Sequence, residues 1–233
     1  MLAMHAPLSD PIPVEMLLLA YRSGIFPMAD RRDDPDIFWV EPRERAIIPL
    51  DSFKPSRSLR KILRQDRYQV TLNRDFAAVI AACAAPREEH PESWISQRII
   101  ASYKLLHAAG HAHSVECWDG QELVGGLYGV SFDRVFCGES MFSRADDASK
   151  VALAWLVAAM RVAGFKLLDC QFLTSHLQSL GATEIPQTEY LERVAAAKGD
   201  PTLSLSEVFD RFAAEEDHSS PGKLIAQSFT QTS

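Results

Sequence analysis

The sequence predicts an α+β fold, a mixed sheet backed by helices and preceded by a small N-terminal α/β domain. Three observations carry this expectation. Asp119-Gly120 stands between two β-rich runs, 114–118 and 122–130, and Asp-Gly between such runs is a strong hairpin signal. A third strand over 135–141 is followed by an apolar helix over 148–163 that Gly164 closes. The next run, 165–171, begins almost continuously apolar, the pattern of a strand covered on both faces. A hairpin, a strand, a helix and a strand in that order make a mixed sheet.

The elements before the hairpin are short. Pro11 and Pro13 stiffen the entry to a first helix, and Gly24 stops it. Leu17, Leu18 and Tyr21 share its buried stripe. A charged loop over 31–36 leads to short strands over 37–40 and 46–49. A basic helix follows, with Ser56 or Ser58 as its cap. Further on the pattern reads as a strand at 68–72, a helix at 76–83, a proline-containing loop at 85–93, and a long helix from Ile95 that ends before Gly110. A helix over 205–214 belongs to the folded part. We place the N-terminal domain at 1–60, the mixed-sheet domain at 61–214 and a flexible acidic tail at 215–233.

Composition narrows the function. The 233 residues are 47% hydrophobic and 24% charged, so the chain is globular. The net charge of −7 argues against a bulk nucleic-acid coat, yet it is unevenly distributed. Residues 54–67 hold six cations against Asp66, and Arg57, Arg60, Lys61 and Arg64 line one helical face. Lys/Arg stripes of this kind hold phosphodiester backbones, although a solvated helix has the same pattern. The longest apolar run, 151–160, is about half of the ~20 residues a membrane span needs. The N-terminus MLAMHAPLSDP lacks a basic segment leading to an apolar run, so no secretory leader is expected and the chain is placed in the cytoplasm. Cys83, Cys117, Cys137 and Cys170 lie in apolar stretches without CxxC spacing, which reads as buried reduced thiols. No phosphate-binding glycine loop occurs.

Two segments combine polar groups with apolar surroundings. Glu139 interrupts an apolar strand next to Gly138, where a carboxylate must be paired, bind a cation or have a raised pKa. Asp169 and Gln171 end the buried strand on a shared face, and ligands of α/β sheets bind at the carboxyl ends of strands. A carboxylate beside an amide is a device for orienting an amine nucleophile. A salt-bridged strand Glu and a turn-capping Asp are the structural alternatives. His107, His111 and His113 have no carboxylate or Cys at ligand spacing, so no metal is expected. Trp39 and Trp94 suit either base stacking or core packing.

The strings AYRSGIFP (20–27), FWVEPRERAIIP (38–49), SRSLRKILR (56–64), HAHSVECW (111–118), ELVGGLYGV (122–130), FCGESMFSRADDASK (136–150) and LLDCQFLTSHLQSLGATEIP (167–186) resemble the leucyl/phenylalanyl-tRNA–protein transferase family. The resemblance implies a GNAT-like catalytic domain without a cofactor. It implies transfer of Leu or Phe, and less well Met, from aminoacyl-tRNA onto proteins with N-terminal Arg or Lys, creating a degradation signal. It sets Asp169, Gln171 and Glu139 at the catalytic positions. Leu127, Phe136, Leu153, Leu156, Met160 and Leu168 would line the side-chain pocket, and Trp39 and Trp94 would meet the terminal adenosine. Arg57, Arg60, Lys61 and Arg64 would contact tRNA, and the enzyme would act as a monomer. Two other readings stand beside it. One is a GNAT-type acyl-CoA N-acyltransferase, to which the acidic link SRADDASK is hostile because pyrophosphate needs backbone amides and no nearby acids. The other is a non-catalytic module that binds RNA or degrons.

Overall fold

A computed structural model describes residues 10–86, 92–214 and 220–229. A seven-stranded sheet organises the chain. Its strands are β3 (Glu44–Ile48), β4 (Gln69–Leu72), β5 (Ala112–Asp119), β6 (Glu122–Phe132), β7 (Val135–Ser143), β8 (Leu167–Gln171) and β9 (Thr183–Pro186), in the order β4-β5-β6-β7-β8-β3-β9. Only β7 and β8 run parallel; every other neighbouring pair is antiparallel. A separate ribbon pairs β1 (Phe26–Met28) with β2 (Phe38–Val40). The expected α+β class and the hairpin at Asp119-Gly120 are both present.

Helices cover the two faces of the sheet. On one side lie α2 (Arg57–Arg64), α5 (Ala148–Ala163), α8 (Leu205–Ala214) and α9 (Pro221–Ser228). On the other lie α1 (Val14–Arg22), α3 (Phe76–Ala84), α4 (Gln97–Ala108) and α7 (Gln187–Ala196), and the short α6 (Ser175–Ser179) follows β8. Strand alternation divides side chains between the layers: Leu168 packs with the first and Leu167 with the second. Helix starts follow local chemistry. Ser56, Asp75 and Ser96 accept backbone N–H groups at the starts of α2, α3 and α4, and Gly164 ends α5 in the left-handed conformation.

The tail corrects the sequence expectation. Residues 221–228 form α9, whose Ile225 and Ala226 are buried against the first layer. Gly222 donates its N–H to Asp66 at 2.8 Å. A Cβ at Gly222 would lie 2.0 Å from the Leu63 carbonyl oxygen, so only glycine permits this crossing over α2. Phe229 closes the contact against Phe53, with ring centroids 5.1 Å apart. Eight residues beside an acidic stretch carry little local signal; packing against α2 and α5 supplies the stability. The rest of the anticipated tail, 215–219 and 230–233, lies outside the described residues. Residues 44–48 precede the boundary drawn at 60 but form a strand of the large sheet.

Candidate active site

The site forms where β7 and β8 part. Their parallel pairing runs only from Val135↔Leu167 to Cys137↔Asp169, although both strands continue. Beyond that point a bulge displaces β7. Tyr128 faces Ser140 and Gly129 faces Gly138, so Glu139 is an extra residue without a partner on β6. Bulges re-aim side chains in this way. A Cβ at Gly129 would sit 2.3 Å from the Cys137 carbonyl oxygen, so the close approach at the bulge requires glycine. The parting opens a cavity of about 960 Å³ that reaches both helical layers. Leu127, Leu153, Leu156 and Leu168 line it from one layer, and Ala82 and Trp94 from the other.

Side chains bridge the gap that the backbone leaves. Gln171 donates from Nε2 to Glu139 Oε1 at 2.8 Å. Tyr21 donates to the same oxygen at 2.7 Å, and Tyr103 donates to Oε2 at 3.1 Å. The two phenol oxygens also touch each other; each phenol has one proton, so all three contacts are hydrogen bonds at once only when Glu139 is itself protonated. Burial raises the Glu139 pKa to about 7, and the Tyr21 and Gln171 donors hold it from going higher. Burial and the neighbouring Glu139 keep both tyrosines protonated, hence donors. Among the described residues nothing donates to Gln171 Oε1, which leaves an amide acceptor at the cavity.

Asp169 is fully buried and is not part of the cavity wall. Arg45 clamps it with two hydrogen bonds, Nε to Oδ1 at 2.8 Å and Nη2 to Oδ2 at 2.6 Å. Tyr190 donates to Oδ2 at 3.2 Å. Burial opposes the Arg45 charge, but Asp169 outweighs it and raises the guanidinium pKa. Asp169 Oδ1 also accepts the backbone N–H of Gln171 at 2.8 Å. Gln171 has φ +62°, and Phe172 N–H bonds back to the Cys170 carbonyl at 2.8 Å. This is the rare γ-turn of positive φ, a strain of roughly 1–3 kcal/mol for a residue with a Cβ. Strand β8 therefore ends in a held turn that aims the Gln171 amide at Glu139 and leaves Phe172 half-exposed on the cavity wall.

A family model for leucyl/phenylalanyl-tRNA protein transferase matches residues 47–195, and one for the N-terminal domain of the same proteins matches 10–43. The chain belongs to this family. It is 55% identical to the leucyl/phenylalanyl-tRNA–protein transferase of Novosphingobium aromaticivorans, over 95% of this chain and 97% of that protein. The Maricaulis maris protein of that name is 53% identical, over 94% of this chain and 97% of its own length. The Ruegeria pomeroyi protein is 49% identical, over 95% and 99%. An aminoacyltransferase activity follows from this membership, and members of the family use aminoacyl-tRNA and protein substrates.

The transferase brings only part of the expected set together. Glu139, Gln171, Leu127, Leu153, Leu156, Leu168 and Trp94 meet at the cavity. Phe136 and Met160 are fully buried in the core and do not line it. Trp39 lies in β2 opposite Pro27, 38% exposed and outside the cavity wall. Arg57, Lys61 and Arg64 are exposed on α2 and Arg60 is partly so, opposite the buried Leu59 and Leu63. Sequence reasoning missed Arg45, Tyr21, Tyr103, Tyr190 and Phe172. A buried Asp169 demands a cation, and the arginine of ERAII at the head of an apolar strand was its nearest signal; Tyr103 had none.

His107, His111 and His113 make their hydrogen bonds within the fold. The Nδ1 of His113 accepts from Asn73 Nδ2 at 3.0 Å, and its Nε2 donates to Ser131 Oγ at 3.0 Å. Among the described residues no group of three His, Cys, Asp or Glu could hold a metal ion, and no helix is long and apolar enough to cross a membrane. Burial pushes the thiols of Cys117, Cys137 and Cys170 up, away from nucleophilic reactivity.

Proposed function

We propose that the cavity takes the side chain of a leucyl or phenylalanyl group, and less well a methionyl group, while it is still esterified to tRNA. The acceptor is the α-amine of a protein with N-terminal Arg or Lys, and the product carries a new N-terminal residue that acts as a degradation signal. The observation that supports this best is the apolar wall of Leu127, Leu153, Leu156 and Leu168 beside the hydrogen-bonded Glu139–Gln171 pair.

The reaction needs little from the protein beyond positioning. The donor is an activated ester, so the transfer runs downhill without nucleotide hydrolysis. The acceptor amine has a reference pKa near 8, which leaves a useful neutral fraction at pH 7. Gln171 Oε1 accepts one amine N–H and points the nitrogen lone pair at the ester carbonyl carbon. The C–N bond forms, the carbonyl C–O bond to the ribose breaks, the amine gives up a proton, and the ribose oxygen leaves as a hydroxyl. Glu139, poised near pH 7, holds the donor's α-ammonium and stands beside the departing proton. Asp169 acts on the amine only through Gln171. Trp94 and Trp39 stack on the terminal adenosine, and Arg57, Arg60, Lys61 and Arg64 hold tRNA phosphates. One methylene in an apolar pocket is worth only ~1–3 kcal/mol, so partial acceptance of Met is expected. The thiols of Cys117, Cys137 and Cys170 suit a reducing, cytoplasmic setting. The β7–α5 link carries Asp146 and Asp147, which weighs against a pyrophosphate-bearing donor.

The test is transfer of labelled Leu or Phe from aminoacyl-tRNA to a peptide beginning with Arg. Q171A is expected to lower kcat by about 100-fold. Reversing Arg57, Arg60, Lys61 and Arg64 to Glu is expected to weaken tRNA binding and flatten its salt dependence. Full transfer by Q171A, or unchanged tRNA affinity in the charge-reversed chain, would sink the corresponding assignment.

A further inference from the structure

We propose that Arg45 is a positioning residue for aminoacyl transfer: by clamping Asp169 it holds the γ-turn at Gln171 that sets the amide oxygen into the cavity. The inference rests on the reading that Gln171 meets the acceptor amine, and it adds a residue that touches neither substrate.

The geometry leaves Arg45 no other outlet. Its side chain is fully buried and it is not part of the cavity wall. Nε and Nη2 go to the two oxygens of Asp169, and Nη1 goes to the Gly24 carbonyl at 2.9 Å. Its guanidinium lies between two rings, 4.8 Å from the Phe26 centroid and 4.5 Å from that of Tyr190. The plane of the guanidinium is thus determined from every side, and with it the plane of the Asp169 carboxylate. A lysine has no fork with which to do this. Asp169 Oδ1 in turn accepts the Gln171 N–H, which fixes the peptide entering the turn. Gln171 sits at φ +62°, a conformation that a residue with a Cβ leaves when nothing holds it. Among the described residues the Asp169 carboxylate is the one side chain bonded to that N–H.

Without Arg45, Asp169 is an uncompensated buried carboxylate that takes up water or a proton and turns away. The Gln171 backbone then relaxes toward negative φ, and the amide swings off both Glu139 and the amine. Binding of aminoacyl-tRNA survives, because the apolar wall and the basic face of α2 do not involve Arg45. The signature is a lower kcat at nearly constant KM.

The experiment compares wild type, R45M, R45K, D169A and R45M/D169A in the transfer assay, with kcat normalised to the folded fraction from thermal unfolding. R45M is expected to lower kcat about 10- to 100-fold, the size of effect that misplacing a reacting group produces, with KM for aminoacyl-tRNA within about twofold. R45K recovers part of the loss. The double variant loses no more than the worse single one, because both act through one turn. If R45M does not fold, hydrogen exchange at the Gln171 amide of R45K decides: exchange faster than wild type by about tenfold or more supports the role. Folded R45M with wild-type kcat, multiplicative loss in the double variant, or unchanged Gln171 protection in R45K would overturn it. Wild-type transfer by Q171A would instead remove the reading of Gln171 itself, so the two failures are separable.

Discussion

Glu139 and Glu116 are both buried acids on neighbouring parts of one sheet, and they do opposite things with their burial. Glu116, in β5, receives hydrogen bonds from Ser114 Oγ at 2.5 Å and Thr71 Oγ1 at 2.7 Å, and a weaker one from the Asp75 N–H at 3.4 Å. Burial raises its pKa, as it raises that of Glu139. Yet it lines no part of the cavity and stitches β4 and β5 to the start of α3. Glu139 sits on a bulge, faces a cavity, and shares its donors with an amide whose second polar atom is open. A perturbed carboxylate is therefore not in itself a functional mark. An incomplete neighbourhood is: Glu116 is satisfied within the protein, whereas the Glu139–Gln171 pair leaves an acceptor for something outside it.

The largest expected difference is in activity. E139Q keeps the shape but removes the charge that the proposed function sets against the donor's ammonium, and is expected to lower kcat by two orders of magnitude or so. E116Q should transfer within about twofold of wild type. Equal losses in the two variants would erase the distinction between the sites.

The next difference is in pH dependence. The folded-state pKa of Glu139 lies above its unfolded value, so between about 4.5 and 7 the folded state binds more protons and stability falls as pH rises. Relative to E139Q, wild type should lose roughly 3 kcal/mol across that window. His113 has the opposite sign. Burial, with His107 and His111, lowers its pKa to about 4, so stability falls as pH drops from 6.5 toward 4. H113Q should flatten that acid limb by roughly 3 kcal/mol as well. Urea unfolding from pH 4 to 8 resolves the two limbs, and parallel curves for E139Q and wild type would contradict the buried-acid description.

The smallest effect concerns Glu116 as a structural tie. E116A strands the Ser114 and Thr71 hydroxyls, at a cost of about 2 kcal/mol in unfolding free energy with kcat unchanged. A stability within error of wild type would show that water replaces the carboxylate without penalty.

Much of the architecture is legible in local pattern. The helix over 148–163 matches its apolar run and terminal glycine residue for residue, and Asp-Gly marks the hairpin turn. The short terminal helix is not legible, because Ile225, Ala226 and Gly222 mean little until α2 lies beneath them. The candidate site divides the same way. Glu139, Asp169 and Gln171 stood out as polar residues in apolar strands. Tyr21, Arg45, Tyr103 and Tyr190 are 21 to 124 positions away in the chain from the acids they serve, so no local pattern ties them to those acids.

What sequence by itself determined here is the set of elements, the basic face of α2 and the identity of the acids, because periodicity, caps and turn chemistry act within a few residues. Tertiary structure alone decided which acid reaches the cavity. Three residue pairs of parallel sheet join β7 to β8, a bulge sets Glu139 at the cavity, and a buried arginine keeps Asp169 in. Those outcomes depend on groups distant in the chain meeting where water is excluded, and there a charge must find its partner or not fold at all.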